Sequence, residues 1–215
     1  MFITPLEYRI LEISYKNKLS HLGSCLSCVH ILDEIYGVRE ENDPVVLSCG
    51  HAGLALYVVL EKYFGLNAEK LLEKHGIHPN RSIEDKIYCS TGSLGLGLGI
   101  ATGYALSDRK RKTWCLISDG EIAEGICYEA FSFYRRELFL NLKVIVNANG
   151  YGAYRSVKFI DEPIFFNKVF ETRFTDHYIN RFPFLKDLDA HYYIMNEKDW
   201  DWVRQQQILN DNGCE

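Results

Sequence analysis

Residues 114–151 read WCLISDGEIAEGICYEAFSFYRRELFLNLKVIVNANGY, in which two short apolar runs flank a longer amphipathic segment. The runs at 114–117 and 144–146 predict strands, and residues from about 124 to 138 predict a helix between them. Continuous apolar strands joined through a helix are typical of a parallel sheet that is covered on both faces. This unit therefore predicts an α/β fold of the doubly wound class, in which ligands bind beyond the carboxyl ends of the strands.

The rest of the chain continues this alternation of helices and strands. Thr4, Pro5 and Glu7 supply an N-cap, a first-turn proline and a capping glutamate, so a helix is expected to begin there. Periodicity predicts helices at 26–37, 52–64, 93–106 and 199–209 and strands at 44–48 and 191–194, whereas 159–181 is aromatic and irregular. The 215 residues are enough for one core, so we expect a single domain over residues 1–215.

Composition and charge argue against several classes of function. The net charge is −5, whereas nucleic acids and anionic membrane surfaces both need clustered Lys and Arg. The densest basic run, residues 109–112, precedes an apolar strand and is expected to be a solvated turn. The N-terminus does not resemble a signal peptide, and no apolar run approaches the roughly 20 residues of a membrane span. We therefore expect a cytoplasmic protein that binds neither nucleic acid nor membrane.

The seven cysteines are an odd number, and most lie in periodic apolar segments. Reduced, buried thiols are the simplest interpretation of Cys25, Cys28, Cys49, Cys115 and Cys127. The spacing of Cys25 and Cys28 also fits a redox or zinc pair. However, no second pair of cysteines or histidines is placed to complete a zinc site, so we favour buried thiols.

Polar residues follow both strands of the central unit. The first strand is followed by Ser118-Asp119-Gly120-Glu121, and the second by Asn147-Ala148-Asn149-Gly150-Tyr151. The carboxyl ends of parallel strands meet at one edge of a sheet, so Asp119 and Asn149 should come together. Their carboxylate and amide oxygens suit Mg²⁺, which takes one or two carboxylates together with phosphate oxygens and water. Gly120 lets the backbone approach a phosphate, and the next helix offers its N-terminal amides. An Asp-Gly pair alone is more often only a turn, so the pairing with Asn149 is the informative feature.

Four motifs, in order, carry a resemblance to a known family. They are Ser20-His21-Leu22-Gly23-Ser24, Leu47-Ser48-Cys49-Gly50-His51-Ala52, Ser90-Thr91-Gly92-Ser93-Leu94-Gly95-Leu96-Gly97 and Asp119-Gly120-Glu121 with Asn149. Together they resemble the diphosphate-binding, N-terminal half of the transketolase family, over about residues 4–154 and faintly at 191–202. The resemblance implies the thiamine diphosphate-binding fold, in the type of domain that holds the diphosphate.

The resemblance also implies a set of cofactor ligands. Asp119, the Asn149 side chain and the Tyr151 carbonyl would hold the metal, which would be Mg²⁺ or, in its place, Ca²⁺ or Mn²⁺. His51 and the backbone of Gly120 and Glu121 would contact the diphosphate of thiamine diphosphate. Gly92 and Leu94 would line the aminopyrimidine side.

The resemblance also implies that two histidines act in catalysis. His21 and His78 match family histidines that face the thiazolium and the hydroxyls of the donor sugar. A histidine after a polar turn is more often a cap or a surface residue, and only the order of the motifs reverses that preference. The remaining histidines match no motif and are interpreted as structural: His30, His75, His177 and His191.

The family's second domain binds the aminopyrimidine and carries the glutamate that activates the cofactor. This chain stops where that domain would begin, and its segment after about residue 155 is shorter than in the family. The resemblance therefore implies a separate pyrimidine-domain transketolase subunit, with two copies of each chain. The implied reaction is transfer of a two-carbon ketol unit between sugars or sugar phosphates.

Some departures and alternatives stay open. Leu22, Cys49 and Ser118 stand where the family has Pro, Lys or Asn, and Gly, which leaves the loop geometry undecided. One alternative is a split 2-oxo acid decarboxylase, against which His21 and His78 argue. The other is a non-catalytic binding or regulatory subunit. The intact Asp119 and Asn149 argue against it, whereas the shortened C-terminal segment favours it.

Overall fold

The computed structural model describes residues 3–137, 140–152, 155–157, 166–172 and 181–212. Its helices are α1 (Pro5–Asn17), α2 (Leu22–Val38), α3 (Gly53–Phe64), α4 (Ala68–His75), α5 (Leu96–Ser107), α6 (Asp119–Ile122), α7 (Gly125–Glu137) and α8 (Glu197–Asn212). Its strands are β1 (Val45–Leu47), β2 (Thr113–Ser118), β3 (Leu142–Asn147) and β4 (Lys168–Phe170). Short 3-10 helices cover Gly50–Ala52 and Asp187–His191. The central unit is confirmed as strand, helix and strand.

The four strands form one parallel sheet in the order β1-β2-β3-β4. Leu47 is in register with Leu116, and Ser118 is in register with Asn147. The chain therefore leaves β1, β2 and β3 at the same edge of the sheet. This is the arrangement that brings the polar residues after these strands together.

Helices cover both faces of the sheet. On one face, Leu116 and Ile145 pack with apolar residues of α1, α2 and α3. On the other face, Cys115 and Ile117 pack with apolar residues of α5 and α7. Adjacent strand residues point to opposite faces, so a continuous apolar run supplies both cores. The predicted α/β class, with a parallel sheet between helices, is confirmed.

The C-terminal segment is tied back to the first helix by a buried ion pair. Arg181 donates to the two carboxylate oxygens of Glu7 at 2.7 and 3.1 Å. The amide of Thr4 donates to Glu7 at 2.9 Å, in the capping box predicted from the sequence. Burial raises the pKa of Glu7, but hydrogen bonds from His30, Arg181 and Thr4 outweigh it and lower the pKa to about 2. These contacts hold the residues after 181 against α1 and α2.

The predicted strand at 191–194 is wrong. His191 ends the 3-10 helix Asp187–His191, and the residues from there to α8 are irregular. The carbonyl of His191 accepts a hydrogen bond of 2.8 Å from the amide of His21 at the start of α2, rather than from a strand. Neither α4 nor β4 was predicted, although Asn67 caps α4 by accepting from the amide of Lys70 at 2.9 Å.

The predicted burial of the cysteines is confirmed. Cys25, Cys28, Cys49, Cys115 and Cys127 are all 3% exposed or less. The sulfurs of Cys28 and Cys49 lie 3.8 Å apart, and both are free thiols. In the part of the chain that the structure describes, no helix has the length and apolar character to cross a membrane.

Candidate functional site

A pocket of about 210 Å³ opens at the carboxyl edge of the sheet. It is lined by His21, Gly23, Ser24, His51, His78, Gly92, Leu94, Ser118, Gly120, Asn149, Tyr151, Gly152, Leu188, Ala190 and His191. Most of the site residues suggested by the motifs are therefore brought together. Asp119 and Glu121 are the exceptions, since they lie beside the pocket and are 2% and 0% exposed.

Asp119 and Asn149 stand at the ends of neighbouring strands. Oδ2 of Asp119 accepts a hydrogen bond of 2.7 Å from the amide of Gly150, and Oδ1 accepts one of 3.0 Å from the amide of Gly120. Oδ1 of Asn149 accepts from the amide of Tyr151 at 2.9 Å. The two side-chain oxygens predicted as metal ligands are thus buried at one edge and held by backbone amides.

The backbone around Gly120 leaves room for a ligand. A Cβ on Gly120 would lie 3.5 Å from the Cα of Gly152 and 3.6 Å from the carbonyl oxygen of Tyr151. A side chain here would fill the space between the two loops. The predicted ligands, the Asp119 carboxylate, the Asn149 amide and the Tyr151 carbonyl, are all oxygen donors, and this set fits Mg²⁺ completed by phosphate oxygens and water.

The proposed metal ligands include only one ionisable side chain, the carboxylate of Asp119. Among the described residues, no group of three or more His, Cys, Asp or Glu side chains is arranged to hold a metal ion. A site built on Asp119 needs only one such side chain from the protein. Its remaining ligands would be an amide, a backbone carbonyl and oxygens of the bound anion.

Four histidines line the pocket, and the rings of His21, His51 and His191 form a close cluster among them. The ring of His21 lies 4.5 Å from His191, 5.6 Å from His51 and 6.3 Å from His78, measured between ring centres. The rings of His51 and His191 are 5.5 Å apart. His21 occupies the left-handed region with φ of 64°, which turns the chain into α2, and its Nδ1 lies 2.7 Å from the hydroxyl of Ser20.

Burial keeps the three clustered rings neutral at pH 7. Burial, and then repulsion from neighbouring histidines, lowers the pKa of His21 to about 4 and that of His51 to about 3. Burial also lowers the pKa of His191. A neutral imidazole carries one donor and one acceptor nitrogen, so each of these rings can donate one hydrogen bond to a ligand and accept another.

The structure corrects the interpretation of His191 as a structural residue. His191 lines the pocket, and its ring lies closer to the ring of His21 than the rings of His51 and His78 do. Its backbone carbonyl also accepts from the amide of His21. No local motif surrounds this histidine, so the faint resemblance at 191–202 was the one signal that could have pointed to it.

Comparison with known proteins identifies the family. A family model described as 1-deoxy-D-xylulose-5-phosphate synthase, for the N-terminal part, matches residues 6–180. One of the subunits of apulose-4-phosphate transketolase from Phocaeicola vulgatus is 32% identical over 161 residues, covering 66% of this chain and 57% of that protein. Human transketolase is 37% identical over 156 residues, covering 61% of this chain and 24% of that protein.

A solved structure shows the same fold. A transketolase mutant from Pichia stipitis superposes with a TM-score of 0.60 at 22% identity, over 70% of this chain and 27% of that one. The chain thus spans only part of the length of these relatives. The family match covers most of this chain, and the sheet and helices agree with it. The chain belongs to the transketolase-like family, and it corresponds to the N-terminal domain of that family.

Proposed function

We propose that this chain is the thiamine diphosphate- and metal-binding subunit of a split transketolase-like enzyme. The enzyme would transfer a two-carbon ketol unit between sugars or sugar phosphates. The observation that carries this proposal is one pocket that holds the neutral histidines His21 and His51 and is bordered by the buried side chains of Asp119 and Asn149. The relative from Phocaeicola vulgatus is itself named as one subunit of its enzyme, which supports a division of the enzyme between two chains.

The oxygen ligands of the pocket would hold the cofactor through a divalent metal. Asp119, the Asn149 amide and the Tyr151 carbonyl would bind Mg²⁺, or Ca²⁺ or Mn²⁺ in its place. The chain is acidic, so the metal would supply the positive charge that the diphosphate needs. His51 and the backbone of Gly120 and Glu121 would contact the diphosphate, while Gly92 and Leu94 would line the aminopyrimidine. When bound, thiamine diphosphate supplies the carbanion that carries the two-carbon unit.

The histidines would bind and orient the sugar. His21 and His78 would donate to or accept from its hydroxyls, and His191 is placed to join them. Because burial lowers the pKa of His21 to about 4, this ring is neutral at pH 7. A neutral imidazole can take up a proton from a hydroxyl and return it, without adding a fixed charge to the site.

A second chain would complete the site. Helix α5 follows directly after pocket residue Leu94 and contains no charged residue along its twelve positions. Leu96 and Ile100 on this helix are nevertheless 39% exposed. A helix without charged residues is normally buried, which supports a partner surface beside the pocket. That partner would be a pyrimidine-domain transketolase subunit carrying the activating glutamate, in an assembly with two copies of each chain.

The proposal is tested by assaying this chain by itself, the pyrimidine-domain protein by itself, and the two mixed. Each assay contains thiamine diphosphate, Mg²⁺, a ketose phosphate donor and an aldose phosphate acceptor, and light scattering reports the size of the mixture. We expect ketol transfer only in the mixture. Robust turnover by this chain without the second protein would contradict the split enzyme.

Two other results would support the alternatives. A complex that forms but transfers nothing from any donor would favour a non-catalytic binding or regulatory subunit. Release of CO₂ from a 2-oxo acid without ketol transfer would favour a decarboxylase.

A further inference from the structure

One fully buried carboxylate, that of Glu121, lies beside the pocket. Oε1 of Glu121 accepts hydrogen bonds from the hydroxyl of Ser48 at 2.7 Å and from the amide of Gly95 at 2.9 Å. Oε2 accepts from the amide of Ser118 at 2.9 Å and from its hydroxyl at 3.2 Å. The side chain of Glu121 is 0% exposed and does not line the pocket.

These donors come from three separate loops, and each loop supplies residues to the pocket. Ser48 follows β1 and leads to His51. Gly95 follows Leu94, at the start of α5. Ser118 ends β2 and leads to Gly120. A single carboxylate therefore joins the three segments that bring these pocket residues together.

The same loops are packed without space between them. A Cβ on Gly97 would lie 2.5 Å from the Cα of Ser48, so α5 approaches the loop after β1 backbone to backbone. A Cβ on Gly50 would lie 2.8 Å from the amide nitrogen of Gly92. Where backbones meet this closely, side-chain packing cannot absorb a shift of one loop. The relative position of the loops then depends on the hydrogen bonds that join them.

We propose that Glu121 is a positioning residue, whose carboxylate fixes the three loops of the site relative to one another. It acts through Ser48, Gly95 and Ser118 and does not touch a ligand through its side chain. The identity of that ligand, thiamine diphosphate with a divalent metal, rests on the proposed function. The alignment of the loops by Glu121 does not depend on the proposed function.

The test is the substitution Glu121→Gln. Glutamine has nearly the same shape, but its amide nitrogen donates, so it cannot accept at both ends. Whichever way the amide turns, the backbone amide of Gly95 or of Ser118 loses its acceptor. We expect hydrogen exchange in segments 48–51, 92–95 and 118–120 to rise by about tenfold to a hundredfold, as follows from losing one buried hydrogen bond.

Asp43→Asn is the matched control. Asp43 is also a buried carboxylate, and it accepts from the indole nitrogen of Trp114 at 3.1 Å and from the amide of Glu40 at 3.1 Å. It precedes β1, at the opposite end of the sheet from the pocket. We expect this change to lower stability without raising exchange in the three loops. The affinity for thiamine diphosphate with Mg²⁺ should fall at least about tenfold in Glu121→Gln and stay unchanged in Asp43→Asn.

Hydrogen exchange is measured on the chain without ligand. It therefore tests whether Glu121 fixes the three loops, independently of the proposed function. Faster exchange at 118–120 alone, or an equal rise throughout the chain, would overturn the proposal. Should Glu121→Gln fail to fold, Ser48→Ala removes one donor and keeps the carboxylate, and faster exchange at both 48–51 and 92–95 is then expected. If the exchange result holds but wild-type protein binds no thiamine diphosphate, the positioning role stands and the proposed ligand is wrong.

Discussion

The amide of Gly150 donates a hydrogen bond of 2.7 Å to Oδ2 of Asp119, and this bond joins the loops that follow β2 and β3. Asp119 therefore holds the second loop in place, and it is also the carboxylate that we propose as a metal ligand. Asn149, the other side chain proposed to bind the metal, lies next to the donor of this bond. The spacing of the two proposed oxygen ligands thus depends on Asp119 itself.

Asp119→Asn is expected to weaken binding of thiamine diphosphate with Mg²⁺ by about 100-fold or more. Even the loss of groups that only orient metal ligands costs about tenfold to a hundredfold, and here a charged ligand is lost. The same change should lower the free energy of unfolding by about 1–3 kcal/mol, because one buried amide loses its acceptor. Calorimetry and urea denaturation measure the two effects. Unchanged affinity would exclude Asp119 as a metal ligand.

A comparison of Asn149→Leu with Asn147→Leu separates an effect on cofactor affinity from an effect on the stability of the fold. Both residues lie at the carboxyl end of β3. Asn149 faces the pocket, so its substitution should lower cofactor affinity by about tenfold or more. Asn147 does not line the pocket. Its amide nitrogen donates to Ser27 at 2.8 Å, and its amide oxygen accepts from Thr172 at 2.7 Å. Asn147→Leu should lower the free energy of unfolding by about 1–3 kcal/mol and leave the affinity of the folded protein near wild type. Calorimetry and urea denaturation decide between them, and equal losses of affinity would argue against the assignment of Asn149.

Substituting the pocket histidines should affect turnover more than cofactor binding. In the assembled enzyme, His21→Ala, His78→Ala and His191→Ala are each expected to reduce kcat by about 10²-fold or more, since positioned proton transfer contributes roughly 10²- to 10⁴-fold. The affinity for thiamine diphosphate should change little, because these rings are proposed to face the sugar. Steady-state kinetics at saturating cofactor, together with calorimetry, separates the two effects. A loss confined to cofactor affinity would show that the rings bind the cofactor instead.

The low pKa values of His21 and His51 predict a loss of stability in mild acid. His51 and His21 have pKa values of about 3 and 4 in the folded chain and about 6.5 when unfolded. Between pH 6.5 and 4 the unfolded chain binds more protons, so the folded state loses stability as the pH falls through this window. Above pH 6.5 these residues should have no such effect.

His51→Gln tests this assignment, because the variant has one fewer histidine to protonate on unfolding. Its melting temperature should fall less steeply from pH 6.5 to pH 4 than that of the wild-type chain. Differential scanning calorimetry across this range gives both slopes. Identical slopes would show that His51 is protonated in the folded chain as readily as in the unfolded chain.

Two glycines in α5 should respond in opposite directions to alanine. A Cβ on Gly97 would meet the backbone of Ser48 at 2.5 Å, whereas a Cβ on Gly99 has nothing within 4 Å. Gly97→Ala is expected to lower the free energy of unfolding by about 1–3 kcal/mol through overpacking. Gly99→Ala should raise it by about 0.5–1 kcal/mol through helix propensity. Chemical denaturation of both variants tests this, and equal effects would contradict the close approach of α5 to Ser48.

Features set by local pattern could be predicted from the sequence. The strands β2 and β3 are continuous apolar runs, so their burial on both faces followed from composition alone. The meeting of Asp119 and Asn149 followed from parallel geometry, because both residues stand just after a strand.

Features set by distant contacts could not be predicted. His191 owes its place to a hydrogen bond from the amide of His21, and nothing around it in the sequence indicates that contact. Ser118 and Glu121 match a local capping box, but the bonds from Ser48 and Gly95 cross 73 and 26 residues of chain. Strand β4 spans three residues, too few for a period of two to be recognised.

One calorimetric titration decides whether the chain binds thiamine diphosphate through a divalent metal, as we propose. Thiamine diphosphate is titrated into the wild-type chain, first with excess Mg²⁺ and then with a chelator in place of the metal. We expect saturable binding with Mg²⁺ and no detectable binding with the chelator at the same concentrations. Equal affinity in both titrations, or no binding in either, would contradict the proposal.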